Sequence, residues 1–132
     1  MPNTQHSILI VEDDAPLRTA LVTKMQSEGY KVLSAKDGKD GLDQALANKP
    51  DMILLDIVIP VMDGLAVAEA LSKDEWGKDA NIIILTNLSD NKQIAEAVRN
   101  GVYEYIIKSD KKLEDIVNEV KNRFATLFSE DK

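Results

Sequence analysis

Ser7-Ile8-Leu9-Ile10-Val11-Glu12-Asp13-Asp14, near the start of the chain, joins an apolar run to an acidic one. Its apolar run shows no polar alternation, the pattern of a strand covered on both faces, and it stops abruptly at three carboxylates. Four further short runs rich in Ile, Leu and Val follow it: Lys31 to Ala35, Met52 to Leu55, Asn81 to Leu85 and Tyr103 to Ile107. The first, third and fourth runs of the chain read as central strands. Lys31-Val32-Leu33-Ser34-Ala35 is more mixed and suits a sheet edge.

Between the runs, apolar residues recur at helical spacing: Leu17, Leu21 and Met25; Leu42, Ala45 and Leu46; Ile94, Ala97 and Val98. From Leu113 through Ile116, Val117, Val120, Phe124, Leu127 and Phe128 they fall at steps of three and four, a stripe made to pack on a sheet. Helix starts have candidate caps in Asp14, Asp37, Ser89 or Asp90, and Ser109 or Asp110; Gly29, Gly64 and Gly101 mark breaks. Ser72 to Ala80 reads as a ragged helix end and loop. Alternating strands and helices give an α/β fold, a (βα)5 doubly wound five-stranded parallel sheet. The expected order is 2-1-3-4-5, in a flavodoxin-like three-layer sandwich.

The 132 residues suit one domain, 1–132, with a core of about 7–128. Neither a membrane-crossing apolar run nor a secretory leader is visible, so no membrane insertion is expected and the location reads as cytoplasmic. With no cysteine, disulfide and thiolate chemistry are excluded. A net charge of -7 argues against direct nucleic-acid contact. His6 reads as an exposed residue of the N-terminal segment, while Trp76 and Met62 cover apolar surface. The polar tail Ser129-Glu130-Asp131-Lys132 gives no hint of an output domain, so the expectation is a protein that stands alone.

In a doubly wound sheet, ligands sit beyond the carboxyl ends of the strands where the winding reverses, between the first and third. Those ends carry Glu12-Asp13-Asp14, Asp56, Thr86 and Lys108. Crowded carboxylates repel one another unless a cation is present, and hard oxygen donors suit Mg2+, with Mn2+ as the alternative. An ammonium and a hydroxyl beside them neutralise charge on a transferring phosphoryl group, with Asp56 as the nucleophile. A flavin or nucleotide protein on the same architecture needs glycines and free amides after the first strand; the carboxylates there would repel a phosphate.

Ile8 to Asp14, together with Asp56-Ile57-Val58-Ile59-Pro60-Val61-Met62-Asp63-Gly64, resembles the response-regulator receiver family. The resemblance extends to Ala35-Lys36-Asp37-Gly38, to Ile83-Ile84-Leu85-Thr86 and to Gly101 followed by Tyr105-Ile106-Ile107-Lys108. It implies that Asp56 is the phosphoacceptor, Asp13 a direct Mg2+ ligand, Glu12 an acidic partner acting through water, and the Val58 main-chain carbonyl a further ligand. Lys108 would pair with Asp56 or its phosphoryl group, Thr86 would bond that group after transfer, and Tyr105 would turn inward as the switch aromatic. The implied donor is a histidine kinase or histidine phosphotransfer protein, and the implied output is a downstream protein on the face of helix four, strand five and helix five. On this reading the protein is not an enzyme beyond its own phosphorylation and dephosphorylation, and is a monomer or a weak phosphorylation-dependent dimer.

Three positions depart from the family pattern. Asn87 replaces a small residue, Ser109 replaces a proline and is expected to follow a trans peptide, and Val58 offers no polar side chain to guide a hydrolytic water, which implies a long-lived phosphoryl state. The rival reading is a receiver-shaped interaction module that is never phosphorylated.

Overall fold

The computed structural model describes residues 5–86, 104–108 and 112–128. Strands β1 (Ser7–Val11), β2 (Lys31–Ala35), β3 (Met52–Asp56), β4 (Ile82–Thr86) and β5 (Glu104–Ile107) form one parallel sheet in the order β2-β1-β3-β4-β5. Asp56 is thus the last residue of its strand rather than the first beyond it. The helices are α1 (Ala15–Ser27), α2 (Gly38–Asn48), α3 (Gly64–Ser72) and the C-terminal helix α4 (Leu113–Leu127). The helix expected around Ile94 to Val98, with its caps Ser89 or Asp90, lies outside the described residues, as do Asn87 and Ser109.

Apolar side chains of the central strands alternate between two cores. Ile8, Ile10, Met52, Leu54, Ile83 and Leu85 pack with Leu21 and Met25 of α1 and with Ile116, Val117, Val120 and Phe124 of α4. Leu9, Val11, Ile53, Leu55 and Ile84 pack on the opposite face with Ala45 of α2 and Val67, Ala68 and Leu71 of α3. Burial on both faces is why these strands lack a polar alternation. Because α1 and α4 cover one face and α2 and α3 the other, the winding reverses between β1 and β3, whose carboxyl ends lie side by side.

Aspartates begin three of the helices. Asp14, Asp37 and Asp63 accept from the backbone N–H of Leu17 (2.9 Å), Asp40 (2.8 Å) and Ala66 (2.9 Å). Each satisfies a donor that has no partner inside the helix, and Pro16 costs α1 nothing in its first turn. The start of α4 departs from expectation. It is Lys112 that precedes the helix, and its N–H donates to the Asp115 carboxylate at 3.1 Å, so the first turn caps itself from within. In the segment read as a ragged end, Asp74 accepts from the N–H groups of Trp76 (2.9 Å) and Gly77 (2.8 Å), and a short 3-10 turn at Gly77–Asp79 leads into β4.

His6 is not the exposed residue its position suggested. Its half-buried ring lies 5.6 Å from Phe124 and 4.4 Å from Phe128, with Nδ1 3.5 Å from Oδ2 of Asp51. The aromatic end of α4 reaches back to the start of β1, a contact between distant segments that no pattern around His6 announces.

Gly38 shows how tightly the layers close. A Cβ there would lie 1.6 Å from the Met62 carbonyl oxygen, whereas one at Gly29 would meet open space and only an unfavourable φ of 99°. Gly38→Ala should therefore lower stability in urea unfolding by about 1–3 kcal/mol or more, against about 1 kcal/mol for Gly29→Ala. Equal losses would mean that the close approach is absent.

Candidate metal and phosphoacceptor site

The carboxyl ends of β1 and β3 place Glu12, Asp13 and Asp56 together, one oxygen of each lying within 4.8 Å of the others. Glu12 is fully buried and Asp56 is 4% exposed, whereas Asp13 faces solvent. Lys108, at the end of β5, reaches across to them. Its Nζ donates to Oδ2 of Asp56 at 3.1 Å and stands 3.0 Å from Oε1 of Glu12, an ionic contact whose angles fall short of a hydrogen bond. Its own N–H donates to the Thr86 carbonyl at 2.8 Å, which ties the end of β5 to that of β4. Of the predicted residues, Glu12, Asp13, Asp56 and Lys108 converge directly, with Thr86 on the strand between β3 and β5.

Buried carboxylates in such proximity are electrostatically costly, and the site shows it. Burial, reinforced by the charge of Asp56, pushes Glu12 up to about 7, against the lowering effect of the Asp14 N–H and of Lys108. Burial alone would depress Lys108, but its close contacts with the carboxylates of Glu12 and Asp56 outweigh that and raise its pKa, so it stays an ammonium. A folded-state value of about 7 above an ordinary 4.5 means that the folded chain holds a proton on Glu12 which the unfolded chain releases. In metal-free protein, wild-type stability relative to Glu12→Gln should therefore fall as pH rises from about 4.5 to about 7 and level off beyond. Urea unfolding at a series of pH values in EDTA measures this; a difference that does not change with pH would contradict it.

Thr86 is 2% exposed, and among the described residues its Oγ1 has no hydrogen-bond partner. A hydroxyl left in this condition costs free energy. Thr86→Val should accordingly raise stability by about 1 kcal/mol in chemical unfolding, and a loss instead would mean that the hydroxyl is satisfied. Tyr105, on β5, is 41% exposed and takes no part in the cluster.

Two devices near the cluster are not legible in the sequence pattern: one residue not singled out there, and the backbone turns of a loop whose residues are. Arg18, half-buried in the first turns of α1, donates from Nη1 to the main-chain carbonyls of Glu12 (2.9 Å) and Asp13 (3.4 Å). Its only signal is a cation one turn into the helix that follows an acidic run. The second device is the loop after β3. The N–H of Ile59 donates to the Ile57 carbonyl (3.1 Å) and that of Met62 to the Pro60 carbonyl (2.8 Å), two successive three-residue turns. Val61, at the centre of the second, has φ 71° and is 78% exposed, an unfavourable backbone for a β-branched residue. Gly38 N–H donates to Pro60 O (3.2 Å), and Gly64 N–H to Ile57 O (2.9 Å). A Cβ at Gly64 would lie 2.4 Å from the Asp56 carbonyl oxygen, so α3 can start this close to β3 only with glycine. Val58, exposed on the same loop, has only its main chain to offer a site.

The donor set, three carboxylates of which two are buried, is made of hard oxygens and fits a divalent ion of the Mg2+ type. Comparison with known proteins agrees. The model of the response regulator receiver domain matches residues 8–121. A probable transcriptional regulator of Guillardia theta, ycf27, is 35% identical over 122 residues, covering 91% of this chain and 47% of that protein. The phosphate regulon transcriptional regulatory protein PhoB of Pseudomonas aeruginosa is 33% identical over 102 residues, covering 77% and 44%. Among solved structures, the chemotaxis response regulator CheY4 of Vibrio cholerae superposes with a TM-score of 0.79 at 25% identity, covering 90% of this chain and 98% of that one. The receiver domain of a Pseudomonas aeruginosa sensor histidine kinase, solved with magnesium coordinated in its active-site cleft, gives 0.76 at 26% identity, covering 90% and 97%. The chain belongs to the response regulator receiver domain family of two-component systems. It spans about half the length of the curated relatives it matches. Among the described residues no helix is long and apolar enough to cross a membrane.

Proposed function

We propose that this chain is a phosphorylation switch in which Asp56 accepts a phosphoryl group from a histidine kinase or histidine phosphotransfer protein. The observation that carries the proposal is the 3.1 Å bond between Lys108 Nζ and Asp56 Oδ2, which joins residues 52 positions apart inside a cluster of carboxylates. In the transfer, a carboxylate oxygen of Asp56 forms a bond to phosphorus as the phosphorus–nitrogen bond of a phosphohistidine breaks. The electron pair returns to the imidazole. Lys108, held as an ammonium, meets the charge on the phosphoryl oxygens, and the Thr86 hydroxyl supplies the donor that the buried side chain otherwise leaves unused. Glu12, Asp13, Asp56 and the Val58 carbonyl would hold Mg2+, or Mn2+, which when bound neutralises the carboxylates and polarises the phosphoryl group.

The chain is no enzyme in the ordinary sense, since the group it modifies is its own Asp56. Tyr105, outward-facing here, is the switch aromatic, and its movement remodels the face of β5, α4 and the helix expected before β5, where a downstream protein docks. The protein acts in the cytoplasm as a monomer or a weak phosphorylation-dependent dimer and touches no nucleic acid itself; a charge of -7 supports the last point.

Incubation with acetyl phosphate and Mg2+, read by intact mass spectrometry, tests this. Wild-type protein should gain one phosphoryl group, while Asp56→Asn, or wild type in EDTA, should gain none. Lys108→Ala should slow the gain by about 100-fold or more. If the wild type gains nothing, the switch is excluded and a receiver-shaped interaction module takes its place.

A further inference from the structure

We infer that Arg18 is a positioning residue of the metal site, one that sets the cation affinity of Glu12 and Asp13 through their main chain; the inference rests on the metal role proposed above. The chain leaves the sheet at Glu12, whose N–H still continues the ladder to the Ala35 carbonyl at 3.0 Å. From there to the cap of α1 it turns within two residues, and both of those residues carry a carboxylate of the cluster. Arg18 grips this turn on its carbonyl side, with Nη1 at 2.9 Å from Glu12 O and 3.4 Å from Asp13 O. On the amide side the turn is held by the Asp14 N–H, which donates to Oε2 of Glu12 at 3.0 Å. The Arg18 N–H in turn donates to Asp14 O at 2.8 Å, so the guanidinium projects from the first turn of the helix that Asp14 caps. Arg18 therefore closes a ring of main-chain contacts around the two acidic side chains and fixes their direction without touching the cluster itself.

The guanidinium has two opposed effects, which makes its role decidable. As a positive charge beside a cation site it repels the ion, so deleting it should tighten binding. As the clamp on the ligand-bearing turn it orients the donors, and removing such outer support weakens metal affinity. The bond is direct and half-buried, whereas the charge is shared with solvent, so positioning is the stronger effect.

Titration of Mg2+ by calorimetry at fixed ionic strength, with unfolding curves measured in EDTA on the same preparations, tests the inference. Arg18→Gln should raise the Mg2+ Kd by about tenfold while remaining folded. Should Arg18→Gln fail to fold, Arg18→Lys, which keeps the charge but loses the planar fork, takes its place and should shift the Kd in the same direction. A Kd that is unchanged or lower overturns the positioning role, and a lower one marks Arg18 as an electrostatic neighbour only. If wild-type protein binds no Mg2+, the metal reading fails and the inference falls with it; if wild type binds and the variant is not weakened, only the role of Arg18 fails.

Discussion

The ammonium of Lys108 between Glu12 and Asp56 is the contact on which the described structure turns. Two carboxylates buried at the ends of neighbouring strands would oppose folding if left alone, because each loses water and gains a like charge. A single cation brought from β5 offsets both penalties, at 3.0 and 3.1 Å. The compensation is partial, since Glu12 still holds its proton up to about 7. The pocket thus stays short of positive charge even with Lys108 in place, a state that favours a divalent ion over further side-chain pairing.

Everything around the pocket delivers these groups without touching the chemistry. Parallel pairing in the order β2-β1-β3-β4-β5 puts the ends of β1 and β3 in adjacent positions, and the two apolar cores hold the sheet between its helices. The sheet core is apolar enough to tolerate the polar rim. Asp14, Asp37 and Asp63 each begin a helix at this same end, so acidic residues there divide into caps and cluster members. Asp13 and Asp14, neighbours in sequence, fall on opposite sides of that division.

The strands were legible to within a residue because burial on both faces leaves an unbroken apolar run, and the sheet order followed from alternation with helices. The cluster was legible too: once strand ends are known, topology brings Asp13, Asp56, Thr86 and Lys108 to one end whatever lies between. What escaped was set by contacts between remote segments. His6 looked like part of a loose end because its partners, Phe124 and Phe128, come from the far end of the chain. Arg18 looked like a helix surface residue because its acceptors are carbonyls, which no side-chain pattern records. Lys112 replaced Ser109 or Asp110 at the start of α4 because the cap comes from Asp115 inside the helix, a reversal of the usual direction.

The turn at Val61 carries a consequence for how this end of the molecule breathes. A positive φ on a β-branched residue stores about 1–3 kcal/mol, and with the side chain in solvent the folded chain recovers none of it through burial. Any excursion that releases the Pro60–Met62 bond starts from that raised level, so it is cheaper than the melting of a relaxed turn by the same amount. The amide of Met62 should therefore exchange with solvent ahead of the amides of α3, which makes the turn centred five positions from Asp56 the soft rim of an otherwise stiff pocket.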